Sequence, residues 1–365
     1  MPETLYLIDG HALAYRMYFA LMGAGGERFT TRSGEPTAGT YGFSSTLVRL
    51  LEQDHPEYLA VAFDVGKTFR DDIFPDYKGT REKMPDDLRE QIERIKQIVD
   101  AFGFPRLEVE GFEADDVLGS VAQYAVKEGL GVKIITGDKD LLQLVDGRVI
   151  VNLPDRRGGS TVDYDAQGVL DYWGIRPDQV VVYKALAGDS SDNIPGIRGV
   201  GDKTAKTLLG KFKDLDDIYA HIDEVSSRYR NKLIDGKESA YLSYDLARIR
   251  TDVKVSVDLE TAKIKTIEFG AVGKLFRDLE FSSLVSRLEK LEQELMGRTT
   301  ATGGAAGQMS LFAEAPATDR IGENNGPNIK TITVDDESKL DEMVNQIQDA
   351  EFLSFDTETS STDPI

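Results

Sequence analysis

Residues 111–140 read GFEADDVLGSVAQYAVKEGLGVKIITGDKD. Val117, Leu118, Val121, Ala122 and Ala125 recur at helical spacing, so a helix is expected from about Glu113 to Lys127, ending near Gly129. Next comes VKIITGD, Val132 to Asp138, an unbroken apolar run of the kind that forms a parallel strand buried on both faces. A helix leading into such a strand is half of an α/β unit. Three carboxylates, Glu113, Asp115 and Asp116, crowd the helix start, and Asp138 and Asp140 close the strand.

The same pattern extends outward. TLYLID (Thr4 to Asp9), YLAVAFD (Tyr58 to Asp64) and RVIVNL (Arg148 to Leu153) read as further buried strands. Between the second strand and the quoted stretch, Leu88, Ile92, Ile95, Val99 and Phe102 mark a helix from Pro85 to Phe102. Pro85 suits its first turn, and Asp86 and Asp87 suit its dipole there. Strands alternating with helices predict an α/β domain with a mostly parallel sheet over residues 1–174. From about Pro177 only helical patterns remain: Asp178 to Ala187, Lys203 to Phe212, Ser239 to Arg248 and Thr266 to Glu294. Residues 175–295 are therefore expected to form a helical region. Met296 to Asn328 is rich in Gly, Ala, Thr and Asn and reads as a flexible linker. Residues 329–365 read as the start of a further domain too short to bury its own core.

Three of the four strands end in acid, at Asp9, Asp64 and Asp138 with Asp140. Strand carboxyl ends share one edge of a parallel sheet, and ligands bind there. One acid at a helix start or after a strand is ordinary capping or turn chemistry. Seven at one edge repel one another and call for a cation. Oxygen donors without any cysteine favour Mg²⁺ or Mn²⁺. At ~100° per residue, Glu113 and Asp116 share a flank of their helix. Asp115 falls on the opposite flank, which makes it the weakest candidate for direct metal contact. His11, His55 and His221 are scattered without metal-ligand spacing; loop, turn and surface roles are expected.

The formal charge is -21, which argues against simple electrostatic wrapping of nucleic acid. The charge is uneven: residues 297–365 hold 13 acidic and 4 basic residues, a net of -9, leaving -12 for residues 1–296. No apolar run is long enough to span a membrane, and the N-terminus lacks the pattern of a signal peptide. A cytoplasmic protein is expected. A basic stretch, KTFRDDIFPDYKGTREK, carries Arg70, Tyr77, Lys78 and Arg81 straight after Asp64, where it can overhang the acidic edge. Farther on, GDSSDNIPGIRGVGDKTAKTLL (Gly188 to Leu209) places Asp189 and Asp192 at a helix end. Gly199, Val200, Gly201, Asp202, Lys203 and Thr204 then form a Gly-rich turn into a helix. Such a turn presents backbone N–H groups and a Lys to a phosphate.

Taken together, LIDG, GEPTAGTYGF, AFDVGKTFR, DYKGTR, PDDL, EGFEADDVLG, ITGDKDLLQLV and GDSSDNIPGIRGVGDKTA resemble the 5′-nuclease region of bacterial DNA polymerase I, a relative of flap endonucleases. They occur in family order over roughly residues 4–290. The resemblance implies a Rossmann-like (PIN-like) α/β nuclease domain with a helical arch near residues 67–102, followed by a helix–hairpin–helix at 188–212. It implies a structure-specific 5′–3′ exonuclease or flap endonuclease that hydrolyses DNA with two divalent metals. Asp9, Asp64, Glu113, Asp115 and Asp116 match the first-metal side, and Asp138, Asp140, Asp189 and Asp192 the second. Lys78 and Arg81 match a cationic pair at the scissile phosphate. The hairpin is expected to hold K⁺ through main-chain carbonyls at Leu186, Ala187, Pro195, Ile197 and Val200. FLSFDTETSSTD resembles the first motif of a 3′–5′ exonuclease-like domain, with Asp356 and Glu358 as ligands. QMSLF, with Gln308, Leu311 and Phe312, is similar to a sliding-clamp peptide. Two rivals are a PIN-like single-strand ribonuclease and a DNA-binding scaffold without catalysis. The hairpin and basic arch speak against the first, and the full acidic set against the second.

Overall fold

The computed structural model describes residues 3–23, 29–155, 160–255, 257–264 and 267–302. Six strands form one sheet: β1 (Thr4–Asp9), β2 (Tyr58–Ala62), β3 (Arg106–Leu107), β4 (Gly131–Ile135), β5 (Val149–Pro154) and β6 (Thr161–Tyr164), in the order β3-β2-β1-β4-β5-β6. All neighbours are parallel except β5 and β6. β1 pairs with both β2 and β4, so the direction of strand succession reverses beside it. Ligand crevices open at such a switch point, outside the strand carboxyl ends.

Alternation along the strands sorts side chains into two layers. Leu5 and Leu7 of β1, with Ala60 and Ala62 of β2, pack against Val117, Leu118 and Val121 of α5 (Ala114–Lys127). Ile8, Leu59 and Val61 point the other way, towards α1 (Gly10–Gly23), α2 (Ala38–Gln53) and α4 (Asp86–Phe102). The short α3 (Phe69–Ile73) leads from β2 into the basic stretch, and α6 (Ala166–Trp173) follows β6. α4 has Pro85 as its N-cap rather than inside its first turn, and left-handed Gly103 ends it. Among the described residues, two strands had no clear sequence signal: β3, because two residues carry no periodicity, and β6, an antiparallel edge.

The second region packs a separate helical core. It contains α7 (Val180–Ala187), α8 (Asp202–Leu209), α9 (Leu215–Ala220), α10 (Ser227–Asp235) and α11 (Lys237–Ala247), around Val180, Leu186, Ile197, Val200, Leu208 and Leu233. After the short α12 (Leu259–Ala262), α13 (Phe269–Asp278) and α14 (Ser282–Thr302) leave that core. Phe276, Leu284 and Leu288 join the layer of α2 and α4, and Arg287 reaches Glu52 at 2.7 Å. Residues 269–295, expected with the helical region, thus complete the α/β core. α14 also runs past Met296, where composition places the linker. The clamp-like residues Gln308, Leu311 and Phe312, and Asp356 and Glu358, lie outside the described residues.

Candidate active site

The carboxyl ends of β1, β2 and β4 open into a cleft of about 1200 Å³. Asp9, Asp64, Glu113, Asp115 and Asp138 line it together with Tyr77, Lys78 and Arg81. Each acid is fixed by its local fold. Asp9 ends β1 and accepts from the Ala12 amide at 3.0 Å and the buried Thr136 hydroxyl at 2.8 Å. Asp64 accepts the Ala114 amide at 2.8 Å, which ties the loop after β2 to the start of α5. Asp138 caps the turn after β4 by accepting from the Asp140 amide at 2.9 Å. His11, placed by the sequence in a loop, sits in α1 and reaches this cleft. Its Nδ1 accepts the Asp64 amide at 3.1 Å, and burial lowers its pKa.

The nine acids divide by partner. Five are already ion-paired within the chain. Asp116 is fully buried and receives Arg70 in two parallel bonds of 2.6 and 2.9 Å, plus the amides of Glu113 and Arg250. Glu113 takes Lys78 at 2.6 Å and the Tyr77 hydroxyl at 3.2 Å. Asp192 pairs with Arg81. Asp140 and Asp189 share Lys184. The other four, Asp9, Asp64, Asp115 and Asp138, have no Lys or Arg within ion-pair distance among the described residues.

Helix register does put Glu113 and Asp116 on one flank: both contact Arg70. That flank turns inward to the arginine, so Asp116, expected on the metal side, lies within the protein. Asp115, the weakest candidate by register, lines the cleft, close enough to Asp138 and Asp9 for their charges to help raise its pKa. Arg70, expected on DNA, is 2% exposed and bound to Asp116 and the Leu246 and Arg248 carbonyls. Tyr77 is buried as well, its hydroxyl reaching Glu113 and Asp192. Lys78 adopts the left-handed region at φ 54°, a strained state for a side chain of its size. Its amide donates to the Asp192 carbonyl at 2.9 Å, and Asn193 donates to the Asp76 carbonyl at 2.7 Å. The turn bearing Lys78 and Arg81 is therefore clamped to the loop bearing Asp189 and Asp192.

The electrostatics follow this division only in part, since burial and Asp138 push Asp140 up to about 7 despite its pairing with Lys184. Burial and Asp64 push the Asp9 carboxyl up to about 7. Burial, then Asp138, Asp9 and Glu113, raise Asp115 well above the carboxylate range. This set suits a hard divalent cation: its donors are oxygen, and it lacks a cation of its own. Among the described residues no three such side chains already close at metal-ligand spacing, so the four stand open rather than as a finished cage.

A pH prediction follows. Between the unfolded carboxyl pKa of 3.8 and about 7, folded Asp9 holds more proton than unfolded Asp9. Stability of chelator-treated protein therefore falls as pH rises through that window. Asp115 and Asp140 act in the same sense. His11 opposes them below about 6.5, as one group against three. Thermal unfolding in chelator should give a lower Tm at pH 8 than at pH 6, by several degrees. Mg²⁺ should restore it at pH 8. An unchanged or rising Tm from pH 6 to 8 without metal would contradict the crowding of these acids.

In the hairpin, Gly188 and Gly196 are both left-handed, and a Cβ on Gly196 would stand 2.2 Å from the Gly188 amide nitrogen. Only glycine permits that approach. The turn delivers Gly201 as N-cap of α8, with Lys203 exposed. Asp202 is bound to Tyr183 and Lys206, and the Val200 side chain is buried, so backbone rather than side chain is available at those two positions. The Leu186 and Ile197 carbonyls each accept one amide, from Ile197 and Val200. Lys232, absent from the sequence reading, reaches the Gly199 carbonyl at 3.1 Å.

Residues 4–174 match the 5′–3′ exonuclease N-terminal resolvase-like domain, and residues 175–269 match the 5′–3′ exonuclease C-terminal SAM fold. The chain belongs to the 5′–3′ exonuclease family. DNA polymerase I of Chloroflexus aurantiacus is 41% identical over 375 residues, covering 99% of this chain and 39% of that protein. The chain thus spans about two fifths of that relative's length. Among solved structures, zinc-bound T5 5′-exonuclease superposes with a TM-score of 0.55 at 22% identity, over 80% of this chain and 99% of the other. The catalytic core of Rad2 in complex with DNA substrate gives 0.51 at 15%, over 80% and 92%. At these identities the likeness concerns the fold. The 5′–3′ exonuclease identity rests on the family match and the polymerase relative.

Proposed function

We propose that this exonuclease cleaves DNA phosphodiesters at 5′ flaps, nicks or 5′ ends, using divalent metal. One observation carries the reading: four carboxylates that, among the described residues, have no Lys or Arg partner line one cleft together with Lys78 and Arg81. Asp9, Asp64, Asp115 and Asp138 would hold Mg²⁺ or Mn²⁺. The ion, when bound, would activate water for attack on phosphorus. Lys78 and Arg81, held by Glu113 and Asp192, would turn to the non-bridging phosphate oxygens and offset the charge that develops there. Tyr77 links the two paired acids, its hydroxyl lying within reach of both Glu113 and Asp192.

The hairpin would hold duplex through phosphates at Gly199 to Thr204, with K⁺ on the carbonyls of the Leu186 to Val200 loop. The relative is a polymerase, so the parent protein is proposed to act in replication and repair, in the bacterial nucleoid. The chain is taken as a monomer, and Gln308 to Phe312 as a clamp contact.

The test is a labelled 5′-flap duplex with Mg²⁺, with and without chelator. Metal-dependent cleavage near the junction is expected, and its absence would sink the reading. Lys203→Ala should weaken flap binding by roughly one phosphate contact, lowering the salt slope of binding by ~1 without regard to sequence. A slope unchanged by that substitution would remove Lys203 from the interface.

A further inference from the structure

The two halves of the acidic set differ in one respect that the exonuclease reading leaves unused. Asp140 and Asp189 enclose Lys184, which is 1% exposed and lies on α7 within the otherwise apolar run VVVYKALA. Its ammonium is 2.6 Å from Asp189 and also bonds Asp140. Burial pulls the Lys184 pKa down, but the two carboxylates outweigh that and hold it above the ordinary lysine value, so it is charged. Asp189 answers in kind: burial would raise it, but Lys184 holds it down at about 2. A second oxygen of Asp140, Oδ1, is buried and has no hydrogen-bond partner. The third acid of this group, Asp192, is bound to Arg81.

We infer that Lys184 is a resident cation in the second acidic cluster, so that without DNA the chain binds one divalent ion, at the open carboxylates, while Lys184 and Arg81 leave Asp140, Asp189 and Asp192 with one negative charge in excess, too little to hold a second ion. This rests on the metal reading of the cleft. The physical ground is charge balance. A divalent ion adding to Asp140 and Asp189 would meet a buried ammonium beside both, where burial weakens solvent screening of the repulsion. Lys184 has little room to withdraw, since its stem lies in the packed core of α7. The open cluster differs: among the described residues no Lys or Arg stands within ion-pair distance of Asp9, Asp64, Asp115 or Asp138.

The experiment counts bound Mn²⁺ by the loss of the free-ion paramagnetic resonance signal, on the whole chain without DNA. The wild-type chain should bind one ion in the micromolar range, with any second at least tenfold weaker. Lys184→Met should bind two, and its Tm should climb with Mn²⁺ far more than the wild type's, because the ion replaces the lost ammonium. Lys184→Arg, which keeps the charge, should bind one. Lys184→Gln reports the same contrast if Lys184→Met does not fold. Two ions of similar affinity on the wild type would overturn the inference and leave the metal reading standing. So would one ion on the folded neutral variant. No bound ion on the wild type would overturn the metal reading and the inference with it.

Discussion

Asp115→Asn is expected to lower metal-dependent cleavage by at least ~10²-fold while raising the Tm of the chelated protein at pH 8. The first effect follows from the position of Asp115 in the open carboxylate set. Metal-borne stabilisation of phosphoryl charge is worth several kcal/mol, and each 1.36 kcal/mol is tenfold in rate. The second follows from crowding. Burial and three neighbouring acids disfavour the Asp115 charge, and asparagine removes a repulsion that the metal-free fold carries. Cleavage assays and thermal unfolding of one variant thus move in opposite directions. A variant that lost activity together with stability would place Asp115 in the structural framework instead.

Its neighbour should behave the opposite way. Asp116→Asn leaves Arg70 buried with half its bidentate partner gone, and takes the acceptor from either the Arg250 or the Glu113 amide. Breaking a buried ion pair by removing one partner costs about 3–5 kcal/mol. Arg70→Met, which strands Asp116 in the interior, should cost as much. Urea unfolding of either variant should show a midpoint lowered in proportion. If Asp116→Asn unfolds like the wild type and only cleavage is lost, Asp116 binds metal and the ion pair is incidental.

These adjacent residues show where sequence reasoning stops. The strand ends, the start of α5 and the sharing of a flank by Glu113 and Asp116 were all legible, because periodicity and apolar runs are local. Which flank faces the cleft was not legible. That depends on Arg70, 46 positions upstream, arriving beneath the helix. A basic residue between β2 and α4 looks the same in sequence whether it overhangs a cleft, as Lys78 does, or is buried, as Arg70 is. Lys184 is marked in the sequence as the one lysine inside the apolar run VVVYKALA, a position that suits a buried acid partner. His11 left a weaker one, two residues after Asp9. The hairpin glycines were readable as a turn. The near-contact of Gly188 with Gly196 required coordinates.

The ion pair of Arg70 with Asp116 also bears on how this nuclease can be dissected. Its pocket is closed by the carbonyls of Leu246 and Arg248 and the amide of Arg250. Gln143 likewise bonds Ala247 and Ile249. Lys184 crosses from the second matched region to Asp140 of the first. A fragment ending near residue 174 would keep Arg70, Asp116 and Asp140 but lose the groups that satisfy them. The two matched regions are separate as stretches of sequence. As objects to express, swap between relatives or recombine in the laboratory, they are inseparable, and any chimera must carry residues 180–250 from the same parent as the sheet.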